Sequence, residues 1–390
     1  MICPEMHFNI NIIMNCIQKI KLISLIIGVL ITGSFQHITI PLFVEMFPSL
    51  YFLLVLTAVE GLILYTLLLT FILIRNGGSL CGLTQKDLSF TRDLSWDTPC
   101  GLTQKDLPFT RDLSRDTFWI PPNTGFIIIT IGVTNAIMSI CFIYAANPIR
   151  TPVVIQSIFL GLAIIPSVLF TKFILKKDNY YNFKYAVPSM ICLLLSIVLA
   201  VLPLLQKTVI PTFWILMYMF GVIFMSLTNI LQEKYVSMTD GSFENKIKLA
   251  LFSGLVQIIT IFGLFWVDIF FGYSHTLRDA ANAFIASILG FQGNLTGTLL
   301  IQLFVLDCLI LFIISIYLNE ISTNYNMILT NLTNQSVALF FTIFPDLNHG
   351  AQYPLSITML SMLCNIISII LWVKAEEAPI SKETPSYGTF

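Results

Sequence analysis

Between Leu22 and Val373 the chain carries ten apolar runs, each long enough to cross a bilayer as a helix. A hydrocarbon core of about 30 Å takes roughly 20 apolar residues in helical form. Lipid offers the backbone no hydrogen-bond partners, so each run must satisfy its own N–H and C=O groups, and a helix does that alone. The expected fold class is therefore an all-α polytopic membrane protein. Its spans are expected at 22–44, 49–74, 120–146, 151–175, 185–206, 212–232, 249–272, 297–318, 321–345 and 352–373. Hydrophobic residues make up 56% of the chain and charged residues 11%, which leaves little material for a separate soluble core. The organisation read from this is a cytosolic segment 1–21, a membrane domain 22–374 and a cytosolic tail 375–390. The first run is of span length rather than signal-peptide length, so it is expected to act as an uncleaved insertion signal.

Orientation follows from the basic residues of the connections. With the N-terminus cytosolic, all of the 20 Lys and Arg fall on the cytosolic side except Arg150, Lys207 and Arg278. That asymmetry favours an even number of spans with both termini on one side. Pro41, Pro166, Pro188 and Pro203 fall inside spans, where helix bending is the expected consequence.

The connection 76–118 holds a tandem duplication. The unit that starts at Cys81 recurs at Cys100 with a period of 19, and the copies differ only at Ser89/Pro108, Trp96/Arg115 and Pro99/Phe118. Two copies are too few to stack into a solenoid. Their mix of Lys, Arg and Asp with few large apolar residues cannot build a core. The loop 81–118 reads as a polar insert, either a recent duplication or a gene-model artefact, with partner docking as the functional alternative.

Several function classes are disfavoured. A formal net charge of −1 gives no electrostatic footprint for nucleic acid. The 8 cysteines have no metal-site spacing, and their placement in spans or cytosolic segments argues against a disulfide framework. No Walker sequence and no nucleophile–base pair are visible, so neither an enzyme nor a cofactor is expected. The non-cytosolic connection 273–296 contains a short amphipathic segment, 279–291, suited to the membrane interface. It also carries a glycosylation sequon at Asn294. The sequons at Asn331 and Asn334 fall within a span. The tail ends in Tyr387-Gly-Thr-Phe390, a tyrosine-x-x-bulky pattern that reads as a sorting signal.

Ionisable groups in hydrocarbon cost about 2.5–3.5 kcal/mol at least, so they face protein or water. Asp307 and Glu60 lie mid-span and are the expected solute- or ion-binding acids, the structural alternative being a bond to a neighbouring helix. Asp268 and Lys172 lie nearer span ends, where snorkelling or capping is expected, and His37 reads as a packing residue. The ninth run places Asn324, Asn331 and Gln335 on one helical face, with Thr330 and Asn334 beside them. Helix-to-helix bonding uses one or two such residues, so this stripe reads as a cavity wall. Gln156 and Ser157 in the fourth run, and Thr134, Asn135 and Ser139 in the third, add to it. No Lys or Arg lies deep in a span, and phosphate sites generally recruit such residues. A neutral, zwitterionic or cationic solute fits better.

Arg150-Thr-Pro-Val-Val-Ile-Gln-Ser157, then Ile165-Pro166 and Phe173-Ile-Leu-Lys176, resembles the fourth span of the chloroquine-resistance-transporter-like proteins. Ser226-Leu-Thr-Asn229 with Glu233-Lys-Tyr235, and Asp307 with Ser322-Thr323, are similar to the same family, over roughly 126–374. The family belongs to the drug/metabolite transporter superfamily. The resemblance implies ten transmembrane helices built as two inverted five-helix repeats around a central cavity. It also implies a vacuolar or lysosomal membrane and export of peptides, amino acids, thiols or amphipathic amines, with a proton as the coupling partner. Where the family carries an acid before Ala in the third span, this chain has Asn135-Ala136. Coupling would then rest on Asp307 and Glu60. The competing readings are a nucleotide-sugar or triose-phosphate type carrier and a non-transporting membrane receptor or scaffold.

Overall fold

The computed structural model describes residues 23–40, 47–75, 124–147, 150–176, 182–205, 212–239, 241–293, 295–321, 323–345 and 354–377. The duplicated insert, Pro41, Asn294 and the Tyr387–Phe390 tail lie outside them. So do the side chains of Asn324 and Asn334. Among the described residues the chain is helical without strands. Nine helices are long and apolar enough to cross a membrane, which makes this an integral multi-pass membrane protein.

The long helices are α1 (Ile23–Ile40), α2 (Leu50–Arg75), α3 (Gly125–Ala145), α4 (Val153–Leu175), α5 (Phe183–Leu205), α6 (Thr212–Met238), α7 (Phe243–Gly263), α8 (Leu295–Ile321), α9 (Thr323–Ile343) and α10 (Leu355–Glu377). Helix α9 has the length of a span but falls outside the nine because amides and hydroxyls replace apolar side chains along it. It is nevertheless interior: Met327, Ile328, Asn331, Gln335, Val337, Ala338 and Phe341 are all buried. The outward faces of the other helices carry Leu67, Phe71, Ile191, Leu303 and Leu363, the apolar surface that a lipid solvent requires.

Three expected boundaries move. Helix α6 runs on to Met238, past Glu233 and Lys234. Helix α7 starts at Phe243 rather than 249, because the Ser242 hydroxyl accepts the Asn245 N–H at 3.3 Å and caps it. At its far end α7 stops at Gly263 instead of 272. The chain then turns and forms a four-residue helix, Val267–Phe270, whose Asp268 is tied inward. The helix Leu277–Gly293 follows, closed by a capping box in which Thr276 and Asp279 exchange bonds.

Helix α4 is broken. A 3-10 turn at Gly161–Ala163 precedes Pro166, and a π turn at Thr171–Leu175 ends the helix at Lys176, whose φ is 52°. Proline has no N–H to donate and its ring crowds the carbonyl four residues back, so the ladder changes pitch there. Ser226 of α6 donates to the Ala163 carbonyl at 2.9 Å and Gly161 lies against the Asn331 amide, so neighbours serve the irregular backbone. Pro188 and Pro203 are accommodated within α5.

Neighbouring helices pair with opposite direction at a separation of five. In α5 and α10, Ser189 meets Ser368 and Ser196 meets Ser361, so one register ascends as the other descends. In α2 and α7, Tyr51 donates to the Ile261 carbonyl while Ile72 packs on Ile247. In α4 and α9, Val153 packs with Val337 and Phe341 while Gly161 meets Asn331. The remaining contacts also come in pairs. Helices α3 and α6 meet antiparallel at Thr134–Thr228 and at Gly221 against Phe142; α8 and α1 meet antiparallel at Cys308–Gln36 and at Gly28 against Ile314. Helices α3 and α7 run parallel past Gly132–Val256 and Ser139–Gln257; α8 and α2 run parallel past Gln302–Glu60 and Phe312–Tyr65. Helices α4 and α6 meet at Ala163–Ser226; α9 and α1 meet at Thr333–Gly33. Small residues stand at most of these crossings, where backbones approach closely without a hydrophobic driving force between helices.

Candidate functional site

The polar residues singled out from the sequence occupy separate places along the bundle. Asp307 is 8% exposed, and its Oδ2 is sealed from solvent with no hydrogen-bond partner. It shares a face of α8 with Leu311 and Ile314, the residues that meet α1 near Val29 and Gly28. Beside it, Gln36 donates to Cys308 Sγ at 3.3 Å. His37 is half-buried on the same stretch of α1 and bonds to no described residue. Asp307 thus has an amide-bearing neighbour helix but no counter-charge within ion-pair distance among the described residues.

Glu60 is elsewhere. It lies on the α2 face that carries exposed Ile63 and Leu67, and its Oε1 accepts from Gln302 of α8 at 2.7 Å while Oε2 is buried without a partner. The acids therefore lie on different faces of the α8 surroundings. Asn135 is buried in α3 beside the Thr134–Thr228 bond and makes no hydrogen bond to a described residue. Gln156 spends its amide on the turn before α4, donating to the Ala146 carbonyl at 2.8 Å and the Thr151 carbonyl at 2.5 Å. Ser157 is buried next to it.

Asn331 and Gln335 do come together. Asn331 and Asn365 of α10 exchange amide bonds at 2.9 and 3.1 Å, and Gln335 donates to Asn331 Oδ1 at 3.1 Å. Gln335 Oε1 is left buried and unpartnered. Gly161 completes the wall: a methyl group there would stand 2.9 Å from the Asn331 amide. The stripe was expected to be a cavity wall; of its described members, Asn331 and Gln335 are buried, and in this conformation their amides bond to each other and to Asn365 of the neighbouring helix. Thr330 and Thr333 turn their hydroxyls back to their own helix.

Two further polar clusters were not read from the sequence as sites. On the face where α6 and α8 end and α9 begins, Asn319 donates to Asn229 at 2.9 Å and to Gln232 at 2.8 Å. Asn326 donates to Asn319 at 2.9 Å. Glu233 accepts the Thr323 hydroxyl at 2.5 Å and its N–H at 3.0 Å, so the carboxylate serves as the N-terminal partner of α9. Next to this knot, Lys246 Nζ lies 2.6 Å from Glu320 Oε2 and 3.8 Å from the Tyr317 ring centroid. Side chains from α6, α7, α8 and α9 thus lock one end of the bundle.

At the other end stands Asp268. Read from sequence as a capping or snorkelling acid, it is in fact 1% exposed. It accepts Ser49 Oγ at 2.8 Å and the Tyr144 hydroxyl. Ser49 N–H in turn donates to Ser287 at 3.1 Å, which ties α2 to the helix Leu277–Gly293. Arg150, after α3, donates through Nη1 to the Tyr144 carbonyl at 3.1 Å. Its Cζ lies 3.7 Å from the Trp214 ring centroid and 4.3 Å from that of Tyr273. Burial holds the Arg150 guanidinium below its usual pKa, and burial raises the Tyr273 phenol. Arginine remains charged regardless. These partners come from segments far apart in the chain, and no local motif announces them.

Among the described residues no group of three or more His, Cys, Asp and Glu is placed to hold a metal ion. No protein-family model matches this chain, and no curated protein matches its sequence.

Proposed function

We propose that the chain is a secondary active transporter of the drug/metabolite type, similar to the chloroquine-resistance-transporter-like family. Helices α1–α5 and α6–α10 would form its two inverted repeats. The observation that carries this reading is the pairing of contacts: each crossing made by a helix of the first five has a counterpart five helices on, with antiparallel crossings at α2–α7, α4–α9 and α5–α10. A pseudo-twofold axis in the membrane plane requires that pattern, and such repeats suit alternating access around a midplane site. The broken helix α4 facing the amides of α9 is the kind of irregular backbone that lines such sites.

The solutes are small neutral, zwitterionic or cationic molecules: peptides, amino acids, thiols or amphipathic amines. Asp307 supplies a buried acid without a partner, while the Lys and Arg of the described helices stand in or near their end turns. The second reading, a non-transporting receptor or scaffold, is favoured by one observation: Asn331, Asn365 and Gln335 bond to each other. Proton coupling and a vacuolar or lysosomal membrane follow from the resemblance and belong to the proposal.

Uptake into proteoliposomes with an imposed pH gradient tests it. Dipeptides, amino acids, glutathione and amine drugs would be screened. Flux above that of empty liposomes, enhanced by the gradient, is expected. Flux equal to empty liposomes for every solute class favours the scaffold.

A further inference from the structure

The Arg150 cluster has more hydrogen-bonding capacity than its structural role uses. A guanidinium offers five N–H donors in one plane. Among the described residues, one of them is spent, on the Tyr144 carbonyl, and no carboxylate lies within ion-pair distance. Asp268 is committed to Ser49 and Tyr144 and does not neutralise Arg150 by contact. The aromatic rings of Trp214 and Tyr273 hold the half-buried guanidinium by cation–π contact, leaving its donor edge to other partners.

A hydroxyl on one of these rings is in the same condition. Tyr273 OH is buried without a hydrogen-bond partner, and its ring centroid lies 4.3 Å from the guanidinium carbon. A buried hydroxyl without a partner costs free energy comparable to a lost hydrogen bond, so such groups call for an acceptor. A planar cation and a phenol with unused donors thus stand side by side, at the end of the bundle where basic residues are scarce. A planar, singly charged acceptor fits them: a carboxylate takes two parallel N–H bonds from arginine and keeps lone pairs for hydroxyls.

We propose that Arg150, with Tyr273, forms a carboxylate-binding site at this mouth, which takes the carboxylate of an amino-acid or peptide solute. The identity of the solute rests on the transporter reading; the site does not. The site stands apart from Asp307, which lies mid-helix, and acts at first encounter rather than in coupling.

The test is binding, which needs no flux. Purified full-length protein in detergent would be titrated by calorimetry with a set of dipeptides and with the same dipeptides as C-terminal amides. The acids are expected to bind at least tenfold more tightly than the amides. Arg150→Gln should bring acid and amide to equal affinity while amide binding is retained, which shows the variant is folded. Arg150→Lys keeps the charge but not the fork and should restore only part of the preference. Glycerol phosphate as a third ligand separates a lipid-headgroup site from a carboxylate site: tighter binding of it than of the acids would overturn the proposal. So would equal affinity for acids and amides in the wild type, absent binding of the acids, or a preference that survives Arg150→Gln. If uptake assays find no transport but the acid preference is present and depends on Arg150, the transporter reading falls and the site stands. If transport occurs without acid preference, the reverse holds.

Discussion

Ser189 and Ser368 each donate a hydroxyl to the other's backbone carbonyl, at 2.7 and 2.8 Å, with the hydroxyls 3.1 Å apart. Two turns away Ser361 donates to the Ser196 carbonyl at 2.8 Å, and those hydroxyls are 3.0 Å apart. The exchange is reciprocal because α5 and α10 cross antiparallel with small residues in register. Interhelical bonds of this kind contribute about 0.6 kcal/mol each in membranes, so register, not strength, is what they supply.

That register makes a cross-linking prediction. With Cys192 and Cys364 replaced by alanine, Ser189→Cys with Ser368→Cys should form a disulfide under mild oxidant in membranes. Ser189→Cys with Ser361→Cys should not, because the positions are two helical turns out of step. Gel mobility after cleavage between the helices reads the result. Equal cross-linking of both pairs would mean that α5 and α10 slide past one another.

Gly132 predicts a steric limit at the α3–α7 crossing. A methyl group there would come within 2.5 Å of Val256 Cβ and 2.6 Å of the Ser253 carbonyl, and a backbone atom cannot swing aside. Gly132→Ala should destabilise by about 1–3 kcal/mol, the usual cost of overpacking. Gly125→Ala, in the same helix with nothing within 4 Å, should be silent. Thermal unfolding in detergent, followed by monodispersity on size exclusion, separates them. Similar melting of the two variants would contradict this packing.

Asn319 predicts a polar lock. It is fully buried, donates to two acceptors and accepts from Asn326. Asn319→Ala would strip partners from three buried amides, and each such loss costs about 1–3 kcal/mol. The expected outcome is a clear drop in melting temperature. A cysteine at Thr323 should also react faster with a water-soluble thiol reagent as that end loosens. Unchanged reactivity would restrict the network to static packing.

The bundle was legible in the sequence because apolar length is a local property: each run declares its helix without reference to the others. The run 321–345 reads as apolar enough to span, whereas α9 is too polar for a simple apolar criterion and is held inside the bundle by its neighbours. The clusters were not legible, because their partners are assembled across the chain. Asp268 looks like an end-of-span acid until Ser49 and Tyr144 are brought to it from 219 and 124 residues away. Gln156 looks like a solute ligand until its amide is found on the two carbonyls of the preceding turn. Glu60 looks like a second solute- or ion-binding acid until Gln302 of α8 is found bonded to it, on the α2 face that carries exposed Ile63 and Leu67. An inverted-repeat arrangement was implied only by the resemblance, because no local motif announces which helices will cross.

Asp307→Asn is the decisive substitution for coupling. The carboxyl is mid-helix and buried, its Oδ2 meets no donor, and no described Lys, Arg or His lies within ion-pair distance. A structural acid would be expected to hold a partner; Asp307 holds none, so asparagine removes little that maintains the fold. Melting temperature should therefore stay level or rise, since a buried ionisable group without a counter-charge is costly in a membrane. Asparagine cannot take up or release a proton. If Asp307 carries the coupling proton, pH-driven uptake should collapse in the variant while solute exchange at equal pH on both sides persists. The same substitution at Glu60, which already bonds to Gln302, should leave exchange and gradient-driven uptake within about twofold of the wild type. Full gradient-driven uptake by Asp307→Asn would assign this acid to packing against α1 and move the coupling step to another group.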